Sequence, residues 1–397
     1  MESANIMLNR RILFDGGMGT QIAARGLYAA CPEMLLESDF EAIARIHSDY
    51  ASSGATIVST NTFGANPIKL SKLGLEKAAQ RLNGLGVRAA RQGAAGRALV
   101  ALDMGPTGEL LAPFGEMSFK EVYDAYFEQA SSGKAAGADL AIIETMTSLR
   151  EGKAAALAAR DAGLPFVLSF TYEPNGRTLM GDLPNCCAAA AQALGAIMLG
   201  SNCSGGPEQM LPIIEIYARS THLPILCQPN AGLPIVENGV TRFPYSPESM
   251  LEPMRALIAA GADAIGGCCG TTPAHIAAFS GLEFGPRAHA AVPEAICSGR
   301  IAVRVDDLGA IDALPALPLD EAGDFDGDAP ALIVDVNEYD CESAIELMED
   351  AASMVYAPMI LRGGSADVLR SLLRAYPGVA GVIGNGELAA QCGAVAI

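Results

Sequence analysis

The 397-residue sequence contains no tryptophan, and aromatic residues make up only 6% of it. Basic residues are also scarce, since 26 Lys and Arg stand against 45 Asp and Glu and give a formal net charge of −19. The basic residues form no dense patch, and a surface of this charge repels phosphate backbones. A nucleic acid is therefore not expected as a partner.

Long hydrophobic runs are missing as well. No apolar run reaches the roughly 18 residues that a helix needs to span a membrane, so no membrane association is expected. Residues 1–5 do not combine a basic segment with an apolar one, and we expect no signal peptide. These absences predict a cytoplasmic protein.

Small and apolar residues are abundant, with 43 glycines and 50% hydrophobic residues. A chain of this length can bury one large core or two modest ones, and the composition is typical of an α/β protein. Without a secretion signal, the ten cysteines are expected to be reduced. Seven of them are predicted to be ordinary core or helix residues: Cys31, Cys186, Cys187, Cys227, Cys297, Cys341 and Cys392.

Residues 11–280 repeat one unit, in which a short apolar run, a glycine or polar turn and an alanine-rich helical stretch follow each other. Amphipathic helical stretches such as Phe119–Gly133 and Ser148–Gly163 separate the runs. Eight such strands and their helices predict a (β/α)8 TIM barrel. An open doubly wound sheet is the alternative, but no GxGxxG follows the first strand. The predicted strands are Ile12–Asp15, Thr56–Thr60, Leu99–Met104, Leu140–Glu144, Phe166–Thr171, Ala196–Asn202, Pro224–Gln228 and Asp263–Gly267.

The remaining residues divide into two parts. Residues 283–330, rich in Pro, Ala, Gly and Asp, are predicted to be a linker with one strand at Ile301–Val305. Residues 331–397 predict a small α/β tail of βαβαβ form, and the barrel is assigned to residues 8–282. The tail's predicted strands are Leu332–Val336, Pro358–Leu361 and Val379–Ile383, and its predicted helices are Glu342–Ala352 and Ala366–Arg374.

Three cysteines follow predicted strands directly. Cys203 follows the sixth strand, and Cys268 and Cys269 follow the eighth within a Gly-Gly-Cys-Cys-Gly sequence. Because the carboxyl ends of barrel strands meet at one face, we expect the three thiols to lie together. Three thiolates with one open position suit zinc and would keep a fourth thiolate nucleophilic. A closed four-cysteine site or plain buried cysteines are the alternatives, but no CxxC pair occurs.

Other polar residues at the strand ends suit an amino-acid ligand. Asp15 and Glu144 are carboxylates whose burial is costly without a cation, such as a substrate ammonium group. The turn 16–19 offers backbone N–H groups to a substrate carboxylate. Asp15 could instead be a turn residue, and Glu144 could pair with a barrel Arg or Lys. Asn230, after the seventh strand, is either a weak oxygen ligand of the metal in the absence of substrate or a turn residue.

Five segments carry a family resemblance. They are residues 14–20 (FDGGMGT), 60–64 (TNTFG), 144–145 (ET), 200–203 (GSNC) and 266–271 (GGCCGT). In this order, over about residues 8–280, the chain resembles the homocysteine S-methyltransferase family. The resemblance implies a (β/α)8 barrel in which Cys203, Cys268 and Cys269 bind zinc and the homocysteine sulfur is the fourth ligand.

The resemblance also assigns the amino-acid end of homocysteine. It implies contacts from Asp15, Gly16, Gly17, Met18, Gly19 and Glu144, to which we add Thr60. It further implies that Asn230 occupies the metal when homocysteine is absent.

The methyl donor divides the family, and three segments bear on it. Residues 105–108 (GPTG), 111–113 (LAP) and 116–119 (EMSF) look like the homocysteine-binding domain of the cobalamin-dependent members, the methionine synthases. This implies transfer from a methyl-corrinoid (methylcobalamin) protein, supplied in trans because no cobalamin-binding domain follows in the sequence. A small donor, S-methylmethionine or S-adenosylmethionine, is one alternative. A non-catalytic zinc- or thiol-binding subunit is another.

The tail has a resemblance of its own. Residues 333–337 (IVDVN) and 375–379 (AYPGV) are similar to part of the folate-binding barrel of methionine synthases. Three predicted strands instead of eight, and RGG at 362–364, depart from that barrel. We interpret the tail as a remnant that is not expected to bind methyltetrahydrofolate alone.

Overall fold

Eight parallel strands alternate with helices in the computed structural model, which describes residues 11–237, 240–287 and 291–397. Seven of these strands are β1 Ile12–Leu13, β2 Ile57–Ser59, β3 Leu99–Met104, β4 Leu140–Met146, β5 Phe166–Phe170, β6 Met198–Cys203 and β7 Ile225–Pro229. An antiparallel hairpin, β8 Ile235–Glu237 and β9 Val240–Arg242, precedes the eighth, β10 Ala264–Ile265. The order is β1-β10-β7-β6-β5-β4-β3-β2, and a bridge between Phe14 and Ile57 joins the first strand to β2. The predicted (β/α)8 TIM barrel is confirmed.

Helices follow the strands around the barrel, and several begin where the sequence offers a start signal. Before Phe119, the Ser118 side chain accepts a hydrogen bond from the Glu121 N–H, and the Glu121 side chain accepts one from Ser118. Four others have proline at the first position, where no N–H is needed. The helices are α1 Met18–Ala24, α2 Leu35–Ser38, α3 Phe40–Ser52, α4 Pro67–Ser71, α5 Ala79–Ala94, α6 Phe119–Ala135, α7 Leu149–Asp161, α8 Pro184–Leu194, α9 Pro207–Ser220, α10 Leu251–Ala260 and α11 Pro273–Phe279.

The interior of the barrel changes from apolar to polar towards the carboxyl ends of the strands. Side chains that include Ile57, Ala101 and Ile142 form a buried apolar cluster inside the ring. Because side chains alternate along a strand, the residue two positions further on faces the same interior. That position is polar on five strands, in Ser59, Asp103, Glu144, Ser169 and Gln228, and on β6 the polar residue is Asn202, four positions after Met198. This polar layer is the floor of the barrel mouth.

Helix α7 differs from the amphipathic helix that the sequence predicted. Every residue from 149 to 159 is buried, because the C-terminal part of the chain covers the side that would otherwise face water. Two of its buried charged residues have partners there. Arg150 forms an ion pair with Glu349, and the Nζ of Lys153 donates to the main-chain oxygen of Tyr376 at 3.0 Å.

The C-terminal part contains a five-stranded parallel sheet. Its strands, in sequential order, are β13 Ala316–Pro318, β14 Leu332–Asp335, β15 Met359–Arg362, β16 Gly381–Val382 and β17 Val395–Ala396. Its helices are α12 Cys341–Met354, α13 Ala366–Ala375 and α14 Gly386–Cys392, and a hairpin of β11 Ala295–Cys297 and β12 Ala302–Arg304 precedes it.

This sheet is larger than the βαβαβ tail that the sequence predicted. The three predicted strands and two predicted helices are present, but α14 and β17 extend the tail. The segment predicted to be a linker supplies β13, which pairs with β14. Neither β13 nor β17 has a hydrophobic alternation long enough to be recognised in the sequence. The proline of β13 is tolerated because this strand lies at the edge of the sheet.

The two faces of this sheet pack differently. One face, with Val334 and Leu361, packs with helices α12–α14 in a separate core. The other, with Ile333, Ile360 and Val395, joins the core of the barrel helices.

Some predictions stay outside what the structure describes. Residues 8–10 of the predicted barrel and 288–290 of the predicted linker lie outside the described residues, and the limits 8–282, 283–330 and 331–397 stay predictions. In the described part of the chain, no helix has the length and hydrophobicity to cross a membrane. Six of the seven cysteines predicted to be structural are buried, and Cys341 is half-buried.

Candidate metal centre and amino-acid pocket

Three thiols meet at the carboxyl ends of β6 and β10, the two strands that flank β7 in the barrel. Cys203 is the last residue of β6, and Cys268 and Cys269 lie in the loop after β10. Their Sγ atoms all lie within 4.8 Å of one another, and the described residues contain no other group of three metal-binding side chains this close. Two zinc–sulfur bonds of about 2.3 Å span up to about 4.6 Å, so three thiols this close together need only small movements to bind one ion.

The backbone at this site is held in an unusual conformation. Cys203 and Ser204 have φ of 58° and 59°, and Thr145 at the end of β4 has φ of 59°. Left-handed backbone is unfavourable for residues other than glycine, and strained residues of this kind cluster at functional sites. The Asn202 side chain joins the two turns, because its Nδ2 donates to Thr145 Oγ1 at 2.7 Å and its Oδ1 accepts from the Thr145 N–H at 2.8 Å.

The three sulfurs share a negative charge unevenly. Hydrogen bonds from the Cys268 and Cys269 thiols lower the pKa of Cys203 to about 3. The same contacts raise the pKa of Cys269 to about 11 and raise the pKa of Cys268 well above its usual range. Contacts among the three sulfurs therefore favour deprotonation of Cys203 and oppose that of Cys268 and Cys269. Three thiolates together need a positive ion between them.

Asn230 contacts the cluster from the loop after β7. Its Oδ1 accepts a hydrogen bond from the Cys269 N–H at 3.0 Å. Its side chain also contributes to the low pKa of Cys203. Its role as a weak metal ligand stays a prediction.

Two predicted carboxylates face the same mouth without a cation. The Asp15 carboxylate accepts from the Ser59 N–H at 2.8 Å and from Ser59 Oγ at 3.1 Å. Burial raises the pKa of Asp15 to about 7, and burial with the charges of Asp15 and Cys203 raises the pKa of Glu144 to about 8. Among the described residues, no Lys or Arg forms an ion pair with either carboxylate. A ligand's ammonium group would supply the missing charge.

A third carboxylate, Asp103, was not recognised from the sequence. It follows Ala101 on the inner face of β3 and is 7% exposed. Its Oδ1 is buried and has no hydrogen-bond partner among the described residues. Burial, with the charge of Glu144, raises the pKa of Asp103 well above its usual range. The signal was present in the sequence, since an Asp two positions after an inward Ala in a buried strand must face the interior.

The family is shown by comparison with known proteins. The profile of the homocysteine S-methyltransferase family matches residues 12–281. The chain belongs to this family. The barrel, the thiols after β6 and β10, and the carboxylates on β3 and β4 are thus parts of a homocysteine S-methyltransferase family member.

Relatives of known name cover the same part of the chain. The methionine synthases of Mycobacterium tuberculosis and Mycobacterium leprae are 35% and 34% identical over 296 and 294 residues. These alignments cover 68% of this chain but 24% of either relative, so the chain spans about a quarter of the length of these methionine synthases. The crystal structure of the metallated form of the homocysteine methyltransferase MmuM from Escherichia coli matches with a TM-score of 0.59 and 26% identity, over 68% of this chain and 94% of MmuM.

The glycine-rich turn of this family member leaves part of its backbone open. The Gly17 N–H donates to Thr271 Oγ1 at 3.1 Å and is therefore occupied. The N–H groups of Met18, Gly19 and Thr20, at the start of α1, donate to no other described residue. They are the donors that remain for a ligand carboxylate.

Thr60, a predicted substrate contact, is engaged inside the protein. It is 1% exposed, and its Oγ1 lies 2.6 Å from Thr62 Oγ1 and accepts from the Asp103 N–H at 3.0 Å. The structure thus connects Thr60 to the main chain of Asp103, and its contact with a substrate stays a prediction.

Proposed function

We propose that this chain transfers a methyl group to the thiol of homocysteine and so forms methionine. The observation that carries the proposal is the cluster of three thiols beside unpaired carboxylates in one barrel mouth. A thiol-bearing amino acid has a sulfur for the thiol cluster, an ammonium group for the carboxylates and a carboxylate for the open N–H groups of the glycine-rich turn. Family membership and the methionine synthase relatives support the same reaction.

Zinc is the metal that suits this donor set. Cys203, Cys268 and Cys269 would hold it, and their separation and shared negative charge fit a divalent, thiophilic ion. When bound there, zinc would keep the substrate sulfur deprotonated and nucleophilic near neutral pH.

The chain's own residues orient the amino-acid end of the substrate. Glu144 and Asp15 accept hydrogen bonds from its ammonium group, which replaces the cation that both carboxylates lack. The open N–H groups of residues 18–20 bind its carboxylate. Holding both ends of a small substrate places its sulfur at the thiol cluster, so that positioning contributes to the rate.

For the methyl donor, we propose a methyl-corrinoid protein supplied in trans. The similarity to methionine synthases and the segments 105–119 in the loop after β3 support this donor. A small cationic donor such as S-methylmethionine or S-adenosylmethionine is the second candidate. It is favoured by the carboxylates at the mouth that lack a cation, since they suit a positively charged donor.

We also propose that residues 8–282 are the catalytic part and that residues 331–397 support it, as a remnant of a folate-binding barrel. The sequential strand order of the sheet is that of a section of a (β/α)8 barrel. Its helix-free face packs against the catalytic barrel, so the space where a complete barrel has its interior is filled. This supports the view that the tail alone does not bind methyltetrahydrofolate.

The deciding experiment measures methionine formed from homocysteine by zinc-loaded protein with each donor in turn. The donors are free methylcobalamin, a methylated corrinoid protein, S-methylmethionine and S-adenosylmethionine. We expect the corrinoid protein to be the best donor and metal-stripped protein to be inactive. Two negative results together would instead indicate a non-catalytic subunit. The protein would form no methionine from any donor, and homocysteine would leave the absorption of the cobalt-substituted protein unchanged.

A further inference from the structure

The glycine-rich turn after β1 and the cysteine loop after β10 are joined by side-chain hydroxyls. Thr271 Oγ1 accepts from the Gly17 N–H at 3.1 Å and donates to the Cys268 oxygen at 2.7 Å. In the opposite direction, Thr20 Oγ1 accepts from the Gly270 N–H at 2.9 Å. One residue of each segment therefore binds the backbone of the other.

Helix α3 adds a third connection from behind. The hydroxyl of Tyr50 lies 3.1 Å from the Gly17 oxygen and 3.3 Å from the Thr271 oxygen. Both Tyr50 and Thr271 are completely buried. The contact between the Tyr50 hydroxyl and the Thr271 oxygen is buried, so solvent cannot replace it if it is lost.

The two segments are also in direct backbone contact. A Cβ atom on Gly17 would lie 2.8 Å from the Cys268 oxygen, and one on Gly16 would lie 2.6 Å from Thr271 Oγ1. Both separations are too short for a side chain, so glycine is needed at each position. The distance between the turn and the thiol cluster is consequently fixed on both sides.

We propose that Thr271 is a positioning residue that sets the spacing between the amino-acid pocket and the thiol cluster, and thereby selects homocysteine over cysteine. The inference rests on the proposed function. Homocysteine has one methylene more than cysteine between its α-carbon and its sulfur. A rigid spacing lets only one of the two amino acids bind through both ends. One methylene is worth about 10- to 200-fold in a well-packed site.

Cobalt-substituted protein provides the test, because its absorption reports thiol binding without any methyl donor. The dissociation constants of L-homocysteine and L-cysteine give a preference ratio. In Thr271→Val, which keeps the shape but loses the hydroxyl, we expect that ratio to fall by about tenfold, as for other residues that orient metal ligands. The matched variant Thr271→Ser keeps the hydroxyl and should retain the wild-type ratio.

A second variant covers the case in which Thr271→Val does not fold. Tyr50→Phe removes one buried hydroxyl and should lower the ratio in the same direction. Equal losses of affinity for both amino acids, or an unchanged ratio in both variants, would overturn the inference even if the wild type makes methionine. A wild-type protein that binds neither amino acid would overturn the proposed function itself.

Discussion

The ammonium group of Lys153 lies 3.0 Å from the main-chain oxygen of Tyr376, and this contact ties the helix after the fourth barrel strand to the C-terminal sheet. The same group donates to the oxygens of Leu373 and Gly378. Helix α13 ends at Ala375, where a cation is favourable beside the last carbonyls. Burial lowers the pKa of Lys153 to about 8. A single side chain therefore satisfies three carbonyls of another part of the chain.

Lys153→Met should destabilise the protein by about 3 kcal/mol, because three buried carbonyls lose their donor. Urea denaturation followed by circular dichroism measures the change. Lys120→Met is the control, since Lys120 forms an exposed i,i+4 pair with Asp124 and should cost less than about 0.5 kcal/mol. Equal stability of the two variants would show that the Lys153 contacts contribute nothing.

Cys269→Ser should lower zinc affinity by at least about 100-fold and abolish methionine formation, because a hydroxyl is a much weaker zinc ligand than a thiolate. Metal content after dialysis, measured by mass spectrometry, checks this. Cys341→Ser, on a helix of the C-terminal sheet, is the matched control and should keep its zinc. Undiminished zinc and activity in Cys269→Ser would refute the metal assignment.

Glu144→Gln should weaken homocysteine binding by about 10- to 100-fold, the value of a hydrogen bond to a charged group. It should also stabilise the ligand-free protein at high pH. Because the pKa of Glu144 is raised from 4.5 to about 8, the folded protein keeps this proton where the unfolded chain has lost it. The wild type therefore loses stability as the pH rises from 4.5 to 8, and the variant escapes this loss. Melting curves at pH 5 and pH 8.5 test the sign, and a stability gain confined to pH 5 would contradict it.

Asp103→Asn should leave the unfolding free energy unchanged or raise it at pH 7.5, since the buried carboxylate has an unpartnered oxygen. Asp139→Asn provides the contrast. Its carboxylate accepts from Arg91 at 2.6 Å and from the Val100 N–H at 2.8 Å, so its loss should cost about 2 kcal/mol. A larger loss in Asp103→Asn than in Asp139→Asn, measured by chemical denaturation, would show that Asp103 is paired in solution.

The barrel was predictable because its strands are short apolar runs with glycine or polar ends, and Leu99–Met104 agrees at both ends. The sequence predicted β1 and β10 to be longer than they are, because the glycines that follow these strands turn the chain towards the barrel mouth. The grouping of Cys203 with Cys268 and Cys269 followed from the strand ends alone. The roles of Tyr50 and Thr271 could not be predicted. Their contacts with Gly17 span 33 and 254 residues of sequence and depend on how two loops pack. Helix α7 was misjudged because the element that covers it comes 200 residues later.

Helix α7, which is rich in alanine and buried on every side, also limits which parts of the chain this protein can lose in evolution. A shorter version that ended with the barrel would expose helix α7 to water, together with a lysine placed to bind carbonyls rather than solvent. Loss of the C-terminal sheet would thus require a new outer surface on the barrel at the same time. The C-terminal sheet can be retained for this reason, as the cover of a surface that has adapted to it.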